Sequence, residues 1–112
     1  MTIVSANIEN NTFTLSVEGH SGYAEAGSDI VCAAVSTLVQ TLHKCLSAVE
    51  DDIEKCVIES CEETASYYFD VKAKQKSTDY IDALFFFALS GLKTLSNAYP
   101  QNVKFCPLIN GQ

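Results

Sequence analysis

The sequence predicts an α+β fold: a mainly antiparallel sheet made from two hairpins, with two long helices packed on it, in the order β-β-α-β-β-α with a short final strand. Three observations carry this. Short stretches alternating apolar and polar residues occur in pairs around turn residues, once near the start and once in the middle of the chain. Each pair is followed by a longer stretch whose apolar residues recur every three or four positions. A period of two is the mark of a half-buried strand and a period near 3.6 that of a helix with one buried face. Hairpins interleaved with helices place the helices together on a sheet.

Taken in order, Ile3 to Glu9 is β-branched and partly alternating, and Asn10-Asn11 is a turn signal. Phe13, Leu15 and Val17 then alternate with Thr14, Ser16 and Glu18, completing the first hairpin. Gly19 to Gly27 contains three glycines and no periodicity, so it is a loop. Ser28 is the expected N-cap of the first helix and Asp29 its first-turn acid. Val31, Val35, Leu38, Leu42, Cys45 and Val49 form its apolar stripe, and the acidic run Glu50-Asp51-Asp52 opposes the helix dipole and ends it. Ile53 to Cys61 and Ala65 to Ala73 form the second hairpin around Glu62-Glu63-Thr64. Ser77 or Thr78 caps the second helix, whose stripe is Ile81, Leu84, Phe85, Ala88, Leu92, Leu95 and Tyr99. Phe86 and Phe87 fall off that stripe, which leaves two readings: contact with a partner subunit, or a second side of the core. Asn97 and Pro100 end the helix, and Val103 and Phe105 suggest the last short strand.

The chain has 112 residues, 47% of them apolar, which suits a single domain over 1–112. A domain of this size buries only about two-thirds of its surface on folding, so dimerisation is a natural supplement. The net charge of −7 argues against direct binding to a nucleic-acid backbone and suits a cationic partner. The first ten residues lack the basic and apolar regions of a signal peptide, and no continuous apolar run approaches the ~18 residues of a membrane span. A cytoplasmic protein without a membrane partner is therefore expected. Five cysteines in irregular positions, Cys32, Cys45, Cys56, Cys61 and Cys106, do not suggest a disulfide scaffold. No C-x-x-C occurs and His43 with Cys45 is the only close His–Cys pair, so neither a metal nor a cofactor is expected.

The residues that point to chemistry lie in Gly19 to Ser36. Cys32 falls in the first turn of the first helix, where unpaired N–H groups and the helix dipole favour a thiolate. An imidazolium neighbour favours it further. The alternative is a small buried hydrophobe among Ile30, Val31, Ala33 and Ala34. Of the two histidines, His43 lies eleven residues further along the same helix, roughly 16 Å up the axis, and cannot reach Cys32. His20, at the end of a strand before a glycine-rich loop, is the one candidate base. Asp29, one turn before Cys32, either orients His20 as the third member of a triad does or complements the helix dipole. Ser36, one turn after Cys32, either donates a hydrogen bond or permits close packing. The loop glycines either admit a substrate chain and let the loop close, or form ordinary turns.

The stretch G-H-S-G-Y-A…G-S-D-I-V-C-A-A-V-S resembles the signature of the ribosomal-processing cysteine proteases, the Prp family. The resemblance implies a cysteine endopeptidase that removes a short N-terminal extension from ribosomal large-subunit protein twenty-seven, and a homodimer. It places the nucleophile on Cys32 and the catalytic histidine on His20, with Asp29, Ser36, Gly19 and Gly22 in supporting positions. Two readings from other classes compete. One is a non-catalytic, ribosome-associated interaction module with Cys32 as a buried core thiol. The other is a thiol redox protein, which the lack of a second cysteine near Cys32 disfavours.

Overall fold

The computed structural model describes residues 1–106; the last six positions of the expected 1–112 domain lie outside them. Five strands and two helices follow one another as β1 (Thr2–Glu9), β2 (Thr12–Glu18), α1 (Ile30–Ala48), β3 (Ile53–Cys61), β4 (Ser66–Ala73), α2 (Thr78–Ala98) and β5 (Val103–Phe105). The sheet order is β3-β4-β2-β1-β5. β1 runs parallel to β5, and the other neighbours are antiparallel. The α+β architecture read from the sequence is thus the one found, with the short β5 as its single parallel strand.

The alternation in β2 fixes the sheet's inner face. Phe13, Leu15 and Val17 are buried, and they stand opposite Val71, Phe69 and Tyr67 of β4. A one-residue slip would turn this whole row outward, so the pattern sets the register. On the helix side, Phe85 of α2 fills the centre. Its ring stacks on Phe13 at 5.2 Å and meets Phe69 edge-on at 6.3 Å. These are the offset and T-shaped geometries that aromatic quadrupoles favour. Asn10 turns β1 into β2 with φ 58, a left-handed conformation that Asn tolerates better than most residues.

Two expectations change. The cap of α1 is Asp29, not Ser28. Asp29 has extended backbone and its carboxylate accepts from the N–H groups of Val31 and Cys32, while Ser28 sits in the preceding turn with its N–H on the Glu25 carbonyl. A charged carboxylate near the helix dipole is a stronger acceptor than a serine hydroxyl. Secondly, Phe86 and Phe87 do not form a second side of the core, being 70% and 72% exposed. The 19-residue α1 reaches a mean hydropathy of 1.3 over 18 residues, enough by length and composition alone to cross a membrane, but Val31, Val35, Val39, Leu42 and Leu46 are buried in the core, as its apolar stripe predicts.

The helices do not cover the sheet evenly. β4, β2 and β1 carry core residues, whereas every residue of β3 is exposed except the half-buried Ile53 and Ile58. β3 is therefore an edge strand overhanging the helix layer.

The register makes a sharp prediction about neighbouring phenylalanines. Phe85→Ala should cost about 3–5 kcal/mol in urea unfolding, and the exposed Phe86→Ala within roughly 0.5 kcal/mol of zero. Equal losses would mean that the face of α2 is misassigned.

Candidate active site

With Asp29 as cap, Cys32 is the third residue of α1. It is half-buried, and its side chain opens on a cavity of about 480 Å³. His20, Asp29, Ser36, Gly19 and Gly22 line the same cavity. The six residues singled out in the sequence thus meet at one place. Cys32 is not the fully buried core thiol of the alternative reading.

The loop reaches the helix through Asp29. Its Oδ1 accepts from Val31 N and Cys32 N, both at 2.9 Å. Its Oδ2 accepts from the Ser21 hydroxyl at 2.6 Å, Tyr23 N at 3.0 Å and Ala24 N at 3.2 Å. Burial by itself pushes this carboxyl up, but the hydrogen bonds from the Ser21 hydroxyl and from the Cys32, Ala24 and Tyr23 N–H groups outweigh it. They hold the carboxyl well below the usual carboxylate range. Asp29 therefore caps α1 and clamps the loop. Its hydrogen bonds go to the loop and the helix start, and none to His20.

The acceptor on His20 is a different group. His20 Nε2 lies 2.8 Å from the backbone carbonyl of Glu63, in the turn between β3 and β4. A carbonyl can only accept, so Nε2 carries the proton, and the lone pair of the neutral ring sits on Nδ1. Cys32 Sγ has Ser21 as its partner: the Ser21 N–H donates at 3.2 Å and the Ser21 hydroxyl lies at 3.5 Å. Imidazole and thiol share the cavity without a hydrogen bond between them, as is common before substrate tightens a site.

Long-range bonds hold the His20 segment. The Thr2 hydroxyl donates to the Gly19 carbonyl at 2.9 Å, Gly19 N to the Ala65 carbonyl at 3.2 Å, and Asn102 Nδ2 to the Ser21 carbonyl at 3.0 Å. Gly19 has φ +96, and a Cβ there would stand 2.7 Å from the Met1 carbonyl oxygen. Both the conformation and the close approach require glycine. On the far wall, Ser36 Oγ accepts from Gln40 Nε2 at 2.7 Å and pairs with the Tyr67 hydroxyl at 3.2 Å.

Four participants were missed in the sequence. Ser21 is adjacent to His20 and could have been found by asking what polar partner a buried carboxylate would need. Tyr67 is the first residue of the inward row of β4, which puts its hydroxyl at the end of the sheet. Glu63 acts through its backbone and Asn102 across 81 positions, so neither left a local signal.

A thiol near a helix N-terminus and an imidazole on one cavity are the side chains that thiol hydrolysis calls for. The chain belongs to the family described as cysteine protease Prp, whose profile matches residues 1–104. It is a cysteine protease by that membership. The fold is shared with the ribosomal processing protease Prp from S. aureus in complex with a covalently linked product peptide. That chain is 20% identical, with TM-score 0.76 over 94% of this chain and 97% of that one. The same S. aureus protease with a substrate peptide gives 18% identity, TM-score 0.71 and coverage of 95% and 98%. SMU.848 from Streptococcus mutans is 28% identical, with TM-score 0.68 and coverage of 94% and 91%. No curated protein matches the sequence.

Two outcomes check the geometry. Asp29→Asn replaces an acceptor facing three donors by an amide, and should cost roughly 1–3 kcal/mol at neutral pH. The folded-state pKa of Asp29 is depressed, so its contribution is complete above the unfolded value of about 3.9 and declines as pH falls through it towards the folded value. The gap between wild type and Asp29→Asn in denaturant unfolding should therefore narrow below about pH 4, and a constant gap would contradict the clamp. Gly19→Ala should lower kcat/KM by roughly tenfold or more through displacement of His20, since small misplacements are costly in catalysis; an unaffected rate would mean that the segment can move freely.

Proposed function

We propose that the chain is the cytoplasmic endopeptidase that removes the short N-terminal extension of ribosomal large-subunit protein twenty-seven, acting as a homodimer. The observation that carries this is the placing of Cys32 Sγ and His20 on one cavity in a chain of the Prp family. The S. aureus relatives, a ribosomal processing protease seen with a substrate peptide and with a covalently linked product peptide, support both the substrate class and a covalent route. The net charge of −7 suits a basic substrate, and the exposed Phe86 and Phe87 are apolar surface that a dimer could bury.

In the proposed mechanism the His20 ring closes on Cys32, and Nδ1 takes the thiol proton while the Glu63 carbonyl orients the ring through Nε2–H. The thiolate attacks the scissile carbonyl carbon. The oxyanion cannot use the Val31 and Cys32 N–H groups, because Asp29 Oδ1 occupies both. The Ser21 N–H, already 3.2 Å from the sulfur, is a loop donor placed to take that role. His20 then gives its proton to the leaving amine as the C–N bond breaks, forming the thioester. Water attacks the thioester carbonyl, His20 accepts the water's proton, and the C–S bond breaks as His20 returns that proton to Sγ, releasing the new carboxyl terminus.

Mass spectrometry of a peptide spanning the extension and the first mature residues tests this. A single cut by the wild type is expected, with none by Cys32→Ala and a loss of roughly 10²-fold or more in His20→Ala. Cleavage by both wild type and Cys32→Ala would remove Cys32 from the reaction. No cleavage by folded, reduced wild type would favour the binding module.

A further inference from the structure

A tetrahedral intermediate needs donors that are not already in use, and the first turn of α1 has few to spare. Val31 N and Cys32 N donate to Asp29 Oδ1, and Ala33 N donates to the Asp29 carbonyl at 3.1 Å. Two nearby hydroxyls are also committed, Ser21 to Asp29 Oδ2 and Thr2 to the Gly19 carbonyl. His20 Nε2–H is on the Glu63 carbonyl. That leaves the Ser21 N–H on one side of the sulfur. An oxyanion is usually met by two donors, so a second is wanted from another wall of the cavity.

Ser36 of α1 and Tyr67 of β4 supply it. Their hydroxyl oxygens are 3.2 Å apart, so one of the two hydroxyl protons lies between them and the other is left over. Gln40 Nε2 adds a further donor to Ser36 Oγ at 2.7 Å. Among the described residues no acceptor takes the spare proton, and both side chains line the cavity that holds Cys32. Both hydroxyls turn about single bonds, so the spare proton can sit on either oxygen. A phenol is the more acidic of the two and the stronger donor. With negative charge in the cavity, the chain therefore runs from Gln40 N–H to Ser36 Oγ, from Ser36 O–H to Tyr67 Oη, and from Tyr67 O–H to the charge. Each bond polarises the next. Ser36 lies four residues beyond Cys32 on the same face of α1, about 6 Å along the axis. A carbonyl carbon bonded to Sγ, its oxygen and a hydrogen bond of about 2.8 Å cover such a distance.

We propose that the Tyr67 hydroxyl is the second oxyanion donor of this site, with Ser36 and Gln40 as its positioning residues. This rests on the peptidase reading, because the charge it meets arises only when the Cys32 thiolate has added to a carbonyl. The tetrahedral oxyanion gains more from the bond than the ground-state carbonyl does, so the effect falls on the rate of acylation and not on binding of the peptide.

Two reactions at the same sulfur separate this role from a structural one. Acylation by p-nitrophenyl acetate forms the S–C bond through an oxyanion and expels p-nitrophenolate with the bonding electrons. Alkylation by iodoacetamide forms an S–C bond by displacing iodide and passes through no oxyanion. Both are read at the Cys32 peptide by mass spectrometry, alongside kcat/KM for the extension peptide. Tyr67→Phe should lower that kcat/KM by roughly 10²-fold and acylation by about tenfold or more, with alkylation within about twofold of wild type. Ser36→Ala and Gln40→Ala should give smaller losses, in that order. Tyr68→Phe, which removes a hydroxyl from the exposed neighbour on the other face of β4, should match wild type. Unchanged cleavage and acylation in Tyr67→Phe would overturn the proposal. So would an equal loss of alkylation, which would assign Tyr67 to the shape of the site, and so would a larger loss in Ser36→Ala, which would make Ser36 the donor. If wild type is acylated at Cys32 but cuts no extension peptide, the substrate assignment falls and the ester alone decides the role of Tyr67. If Cys32 is acylated no faster than the exposed Cys106, the nucleophile reading falls and the role of Tyr67 falls with it.

Discussion

The site depends on one buried carboxylate. Asp29 accepts two hydrogen bonds at Oδ1 and three at Oδ2, and the two oxygens serve different parts of the chain. Oδ1 closes the end of α1 and so fixes the first turn that carries Cys32. Oδ2 gathers Ser21, Tyr23 and Ala24 and so fixes the path of the loop after His20. A helix start and a glycine-rich loop would otherwise be two independent and mobile features. The charge of Asp29 is met by five donors, four of them fixed backbone N–H groups, and a negative charge so solvated by dipoles has less effect on its surroundings.

Since Asp29 is committed to the loop and the helix, the imidazole takes its orientation from the sheet. The Glu63 carbonyl belongs to the β3–β4 turn, where Ala65 adopts φ 51, and the Ala65 carbonyl in turn receives Gly19 N. The β3–β4 turn thus holds the histidine segment twice, through the N–H of the neighbouring Gly19 and through the ring. A carbonyl in place of a third ionisable side chain gives the same directional control with no proton of its own to gain or lose. This puts the thiol on a helix and the imidazole just beyond a strand end, so the distance between them depends on how the two layers pack.

Much of this was legible because it is local. The period-two rows of β2 and β4 and the stripes of α1 and α2 follow from burial of one face, and they placed the seven elements nearly residue by residue. That Cys32 and His20 would meet on one cavity was legible because only one histidine could reach the start of α1. The role of Asp29 was half legible: its position in the first turn suggested a link to the dipole, but the cap was assigned to Ser28. That choice depends on where the loop delivers its donors. Glu63 and Asn102 were invisible because a backbone carbonyl has no residue signature and a hydrogen bond across 81 positions has no local pattern. The overhang of β3 was hidden for a related reason, because the pattern of a strand reports that a face is apolar but not how far the neighbouring layer extends.

The parallel pairing of β5 with β1 has a consequence in time. β1 receives β5 as its edge neighbour, and Asn102, at the entrance to β5, supplies the bond that holds Ser21 against the thiol. Such pairings are among the slowest to form, because a long loop must close before any contact rewards it. During synthesis at the ribosome, the hairpins and α1 can be complete while residue 102 has yet to emerge. The surroundings of Cys32 are then completed only after residue 102 has been delivered, and a copy that stops short of it carries the thiol and the imidazole without the bond that holds Ser21 in place.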